Sequence, residues 1–418
     1  MSYPANTFQN VATYQKSGLG YMINMFCGIA TANKKFENFQ DFIGNLGDTV
    51  NFSRPPRFIA TDGLIVSWQP AVQLVQSLTV DKSKSVGYSV TNTQFIFNAE
   101  KYVDDFNTAA VSELASAIES DQWGVVETNT YRIFGDFTIT SGVSKMNEIS
   151  SFQQLAQSIS NFEDFGCPKN GKLKYYIPSV KQATIAGSGL QQFALDRNNE
   201  LAATWEVGDF GNAMFYQSNL LRIHTSGTIG NTGADIEIVS IDATGTLLSI
   251  TTTPSGTFKA GDILRFKPAV VNSDVKFLTY IGHKPCSQGA TVRVTADATA
   301  LVGTGAVTLS IYPALISDLT NANANIDTPI VATQVMQAFP NHRMGLIVGG
   351  DARYLAMPRL PEQSPYITVN DSDPDSGLSF RIVYGSVFGG NQMGMALTAL
   401  YGFTMVDDYA QRVAFPVS

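Results

Sequence analysis

Three histidines, His224, His283 and His342, are the side chains here that ordinarily titrate near neutral pH, so proton-transfer chemistry is sought there first. None has a carboxylate or cysteine neighbour at zinc-site spacing, and structural or surface roles are expected for all three. The run Asp371-Ser372-Asp373-Pro374-Asp375-Ser376-Gly377 begins like a calcium loop. Its glycine comes one position late, and the twelfth position from Asp371 is Ile382, where a bidentate glutamate is needed. Asp, Ser, Pro and Gly are ordinary turn formers, so a solvated acidic turn is expected. Gly187-Ser188-Gly189 and Gly389-Gly390-Asn391 lack the spacing that cradles phosphate, and no GxSxG elbow occurs. Glu100, Glu113 and Glu119 are expected on the solvated side of a helix. No catalytic, cofactor-binding or metal-ligating residue is assigned, and an enzyme has no positive support.

Charge offers a different kind of site. Arg54 and Arg57 fall in an extended loop and Lys82 and Lys84 where its strand returns, which reads as an exposed positive flap on a chain of net charge −8. These four are the candidates for contact with acidic patches on a neighbouring copy. The alternative is a solvated hairpin that binds nothing. A balance of 27 basic to 35 acidic residues argues against a sequence-independent grip on nucleic-acid phosphates. Only 15% of residues are charged and 44% are hydrophobic, which suits a surface largely covered by neighbours. Cys27, Cys167 and Cys286 match no disulfide or CxxC spacing, so reduced thiols and an intracellular life are expected. The amino terminus lacks a basic n-region, and Leu19 to Ala30 is too short to span a bilayer, so neither secretion nor membrane anchoring is expected.

The elements that must position these residues can be read from periodicity. Weak periodicity up to about residue 45 suggests an arm with short helical pieces. From Gly47 to Arg54 the pattern alternates, Pro55-Pro56 breaks the ladder, and Gln76 to Asp81 and Val86 to Val90 resume it. A long helix is expected from a cap at Asn98 to about Trp123, with Tyr102, Val103, Phe106, Ala110, Leu114, Ala117 and Ile118 on its apolar stripe. A second helix follows Ser150 or Ser151, with Phe152, Leu155, Ala156, Ile159 and Phe162 facing the core, and Gly166 and Pro168 stop it. Lys172 to Ile177 reads as a buried strand leading into a short helix. Between Thr225 and Leu315, runs rich in Val, Ile and Thr recur between turn signals, as in an inserted β-domain. Beyond it, Asp327 to Ala338 is helical by pattern, whereas Gly345 to Val348, Leu378 to Val383 and Gly394 to Phe403 are strand-like. The fold class is α+β with a β-insertion.

The order of these segments carries a resemblance. Gly47-Asp48-Thr49-Val50-Asn51-Phe52-Ser53-Arg54-Pro55-Pro56-Arg57-Phe58, Leu78-Thr79-Val80-Asp81-Lys82 and the long helix come first. Lys174-Tyr175-Tyr176-Ile177-Pro178, Phe215 to Thr225, Ala260-Gly261-Asp262-Ile263-Leu264-Arg265-Phe266, Met344 to Pro361 and Gly377 to Asp408 follow. Together they resemble the major coat proteins of P22-like tailed bacteriophages, of the HK97-like capsid fold, over essentially the whole chain.

That resemblance implies an N-terminal arm (1–45), an extended β-loop (46–95), a peripheral domain with a spine helix (96–139) and a first part of an axial domain (140–224). It further implies an inserted β-barrel-like domain (225–319) and a return through the axial and peripheral domains (320–418). It implies a non-enzymatic shell protein that self-assembles into hexamers and pentamers around double-stranded DNA, without sequence-specific binding, from a scaffold-dependent procapsid that later expands. A scaffolding protein and a portal would be partners, the host bacterial cytoplasm the place of assembly and the virion the destination. No cofactor and no membrane are implied. The rivals are another virion component, such as a tail or decoration protein, or a glycan-binding β-protein. The latter would want aromatics beside paired carboxylates, and the insertion has no tryptophan.

Overall fold

A computed structural model describes residues 27–33, 49–54, 56–60, 63, 68–69, 74–167, 171–186, 209–267, 273–300, 306–350, 352–360, 367–373, 378–386 and 392–417. Among these, the backbone alone is described at 52–53, 90–105, 107, 183, 186, 209–210, 367, 369–373, 378, 384, 386 and 392–393. The fold is α+β and strand-rich, with a closed six-stranded barrel. The chain divides into two compact units, one from Met1–Phe52, Val75–Trp123 and Arg353–Met405, the other from Ser53–Leu74, Gly124–Ala352 and Val406–Ser418. No helix among the described residues is long and apolar enough to cross a membrane.

In the first unit the long strand Gln392–Met405 is the organising element. It pairs antiparallel with Lys82–Thr91 and Leu378–Ser386 over most of its length and with Arg353–Ala356 at its end, while Ile367–Asp373 extends the sheet. Its alternation turns Leu397, Ala399 and Tyr401 inward, where they pack with Ala110, Val111, Leu114, Ala115 and Ile118 of the helix Asn92–Asn129. The i, i+4 spacing of Ala110, Leu114 and Ile118 makes that face, and each large side chain it buries contributes about 1.5–3 kcal/mol.

The helix begins at Asn92, six residues before the expected cap, so Asn98 lies inside it. Phe106, expected on the stripe, is 42% exposed and leans on Tyr88, with ring centroids 5.9 Å apart. Tyr102, Val103 and Glu100 lie outside the described side chains. Glu113 is exposed as expected, whereas Glu119 corrects the expectation of a solvated face. Fully buried, it accepts hydrogen bonds from Gly28 N (3.0 Å), Ile29 N (3.3 Å) and Trp123 Nε1 (3.2 Å). The short helix Cys27–Thr31 presents those two backbone donors with no carbonyl of its own to receive them, and the carboxylate supplies the missing acceptor.

The second unit is built on a mixed sheet ordered Ile133–Phe134, Ala410–Phe415, His342–Val348, Leu173–Pro178, Ala213–Ser218 and Asp209–Phe210, with Ile223–His224 also pairing His342–Val348. Leu173–Pro178 and Ala213–Ser218 run parallel, as do Ala410–Phe415 and Ile133–Phe134. The helix Phe152–Asp164 covers this core through Leu155, Ile159 and Phe162. Ser151 caps it in a reciprocal capping box with Gln154, and Gly166 at φ +74 ends it.

The barrel runs Asp235–Ile241, Leu247–Thr252, Val307–Tyr312, Thr291–Val294, Ile263–Phe266 and Val335–Ala338, which closes on the first strand. Each strand buries two alternate side chains, Ile236/Ile238, Leu248/Ile250, Leu309/Ile311, Val292/Val294, Leu264/Phe266 and Met336/Ala338, which fill a barrel of this size without a channel. The sixth strand corrects the helix expected over Asp327 to Ala338. An apolar run this short is read equally well by either period, and two bare strand edges decide for the strand.

Candidate functional site

The loop between the paired strands Thr49–Arg54 and Leu74–Thr79 belongs to the second unit and is tethered within it by its two arginines. Arg54 donates to the Asp408 carboxylate, whose other oxygen accepts from Tyr131 Oη at 2.7 Å. Burial disfavours the Arg54 charge, but Asp408 and the facing Tyr312 and Tyr280 outweigh that and raise its pKa. Arg57 lies over the Tyr280 ring, 5.0 Å from its centre, and donates from Nε to Tyr280 O (3.1 Å) and from Nη2 to Ala324 O (3.2 Å). Farther out, Gln69 bonds both the N–H and the carbonyl of Ile59 and so bridges the two arms of the loop. Trp68 beside it is 92% exposed and Phe58 is 55% exposed.

Sequence reading placed the four basic residues on one exposed positive flap, but they divide between the two units. Arg54 is only 10% exposed because Asp408 neutralises and covers it. Lys82 and Lys84, on one face of their strand, lie around Asp121. Lys84 Nζ is 3.4 Å from that carboxylate, and Tyr401 Oη donates to it at 2.5 Å. Burial alone would raise the Asp121 pKa, but the Tyr401 hydrogen bond and the two lysines hold it below the ordinary carboxylate range. Asp408, Asp121 and Trp68 went unnoticed in the sequence; only the Asp407-Asp408 doublet, set just before a strand, carried a local signal.

Next to the tether, Asp407 faces Tyr312 and Arg293, whose Nη2 lies 3.5 Å from Oδ2. Burial pushes its carboxyl up to about 7, with Asp408 adding repulsion against the pull of Arg293. The folded chain therefore holds this proton more tightly than the unfolded one, and stability falls as pH rises from the ordinary carboxylate range through about 7. Asp407→Asn should be near neutral at about pH 4 and gain roughly 2–4 kcal/mol over the wild type by about pH 8. Urea unfolding at several pH values reads this out, and a gap that does not move with pH would disprove the buried charge.

His224 does have acidic neighbours, from distant sequence, and the other two histidines have different partners. His224 sits between Glu127 and Asp262, His342 beside Arg412, and His283 in a turn with its Nε2 2.9 Å from Ala322 O. Among the described residues no group of three or more His, Cys, Asp or Glu is placed to hold a metal ion. Asp371 to Asp373 end a strand in place of opening a turn, while 374–377 and the glycine strings at 187–189 and 389–391 lie outside the described residues. A cleft of about 480 Å³ is lined in part by Asp136, Glu148 and Arg265. Those charges are paired, Arg265 with Asp136 at 2.8 Å and Glu148 with Lys181 at 3.0 Å.

No protein-family model matches the chain, and no curated protein matches it. Among solved structures it is similar to one from Mycobacterium phage Che8, with 10% identity, a TM-score of 0.46, and 92% of this chain and 90% of that one covered. It is also similar to the capsid structure of cyanophage P-SCSP1u, with 9% identity, a TM-score of 0.41, and 88% and 83% covered. A third is the asymmetric unit of the bacteriophage PhiM1 mature capsid, with 7% identity, a TM-score of 0.39, and 88% and 81% covered. Likeness at this level of superposition carries no weight for function.

Proposed function

We propose that this chain is a coat protein of the HK97-like, P22-like kind, a non-enzymatic subunit that self-assembles into the hexamers and pentamers of an icosahedral phage shell. The observation that carries this reading is the tethered loop. A tryptophan 92% exposed, on a loop bridged by Gln69 and fixed at its base by Arg54 and Arg57, is costly for a solitary chain and useful to one that docks its copies. The order along the chain of the tethered loop, the long helix and the closed barrel supports the same reading. Within it, Phe58 and Trp68 make the contact, Arg54 and Arg57 present them, and Lys82 and Lys84, in the other unit, make polar contacts with a neighbouring copy. Double-stranded DNA would fill the shell without base recognition, and a scaffolding protein and a portal would direct a procapsid that later expands.

Sedimentation and negative-stain electron microscopy test this, on the chain alone and co-expressed with its neighbouring genes. Closed shells, or irregular shells made uniform by a co-expressed scaffold, are the expected result, and a persistent monomer in both cases rejects the proposal. Trp68→Asp should abolish shells while leaving the unfolding transition within about 0.5 kcal/mol of the wild type, as for an exposed site. Charge reversal at Arg54 and Arg57 should impair both assembly and loop anchoring.

A further inference from the structure

Two strands carry the barrel. Ile223–His224 leads towards it and His342–Val348 receives the chain from it, and they pair through only two registers, Ile223 with Arg343 and His224 with His342. The facing imidazoles are 5.2 Å apart and inclined at 45°.

Their hydrogen-bond partners differ in kind. His224 is 2% exposed, with Nδ1 3.0 Å from Glu127 Oε1 of the long helix and Nε2 2.8 Å from Asp262 Oδ1 of the barrel. Both ring nitrogens of His224 thus face oxygens of carboxylate side chains. Asp262 is fixed in turn by Gly227 N (3.0 Å) and Lys259 N (2.8 Å). In His342, Nδ1 faces Pro340 O at 2.8 Å and must donate, which leaves Nε2 to accept from Arg412 Nη1 at 3.3 Å, and the ring is neutral. Arg412, fully buried, also donates to Thr130 Oγ1 (3.0 Å), Gly261 O (3.5 Å) and Glu127 O. Arg222, 3.8 Å from Glu127, and Arg293, whose charge acts on Arg412, complete the set of charged groups.

We propose that this facing pair is an acid-sensitive latch on the stem of the barrel. It is closed while His342 is neutral, and it opens when a proton from solvent binds Nε2 of His342. That proton removes the acceptor of Arg412 and sets a second cation against it in a fully buried place. Burial, then Arg412 and His224, hold the His342 pKa well below the ordinary histidine range, so the unfolded stem takes the proton more readily than the folded one. The stem is accordingly at full strength above the ordinary histidine range and weakens as pH falls below it. The latch needs no second copy and stands apart from the shell reading.

Hydrogen–deuterium exchange on the full chain, corrected for intrinsic rates, tests it at about pH 7.5 and about pH 5, either side of the histidine range. Peptides over 219–228 and 339–346 should lose protection by about tenfold or more at the lower pH, while the hairpin Asp235–Ile241/Leu247–Thr252 keeps its own. His342→Gln should erase the difference. Equal stem protection at both pH values, or a His342→Gln chain that responds like the wild type, overturns the latch. Should that variant not fold, ring-proton NMR of the wild type decides, since only three histidines need assigning. His342 gaining its proton together with stem opening supports the latch, and a ring still neutral after opening overturns it.

Discussion

Glu119→Ala should cost about 3–5 kcal/mol, a large part of the 5–15 kcal/mol that holds a typical domain folded. The truncation leaves Gly28 N, Ile29 N and Trp123 Nε1 without their acceptor, and a buried donor left unpaired costs about 1–3 kcal/mol. Glu119→Gln keeps one acceptor oxygen and should lose roughly half as much. Urea unfolding followed by tryptophan fluorescence measures both. A Glu119→Ala transition within about 1 kcal/mol of the wild type would mean that water replaces the carboxylate and that the short helix is not pinned through it.

Gly227→Ala should be comparably damaging, for a reason of space and not of backbone freedom. Gly227 has φ −57 and ψ 166, open to any residue, but a Cβ there would stand 2.0 Å from the carbonyl oxygen of Thr257 and 2.8 Å from Phe258 Cα. Those are backbone atoms of the strand Gly256–Phe258, held by its pairing with Ala298–Ala300, and cannot swing away, so the stem or that strand must shift, and a loss of about 3 kcal/mol is expected. Gly142→Ala is the instructive control. Its φ is +75 with nothing within 4 Å of the new Cβ, so only the left-handed backbone is penalised, by about 1 kcal/mol. Melting curves showing the two substitutions equally mild would remove the close approach at Gly227.

Periodicity made the local elements legible. Five of the six barrel strands could be read from Val, Ile and Thr runs between turn signals, and Ser151 with Leu155, Ile159 and Phe162 located the second helix. What the chain hid was everything set by partners remote in sequence. Val335–Ala338 is a strand because Asp235–Ile241 and Ile263–Phe266 each offer it an edge, nearly a hundred residues away in one case. Glu119 is buried because amides 90 residues earlier need an acceptor, and nothing in its own helix distinguishes it from Glu113. The basic positions of the loop were visible as types, but their work was not. Asp408, 354 residues from Arg54, turns a presumed surface charge into a tether.

The late sixth strand has a consequence for how the molecule comes into being. On a ribosome the first five barrel strands are made before Val335–Ala338, so Asp235–Ile241 and Ile263–Phe266 stand with open edges until that segment emerges. The mixed sheet waits longer still, since His342–Val348 lies between Leu173–Pro178 and Ala410–Phe415 and cannot be flanked on both sides until the latter is made. Such non-local closure makes folding slow and largely post-translational. In the interval the nascent chain offers bare, aggregation-prone edges to any other copy being made beside it. The topology itself thus sets a vulnerable period during synthesis, whatever the finished protein goes on to build.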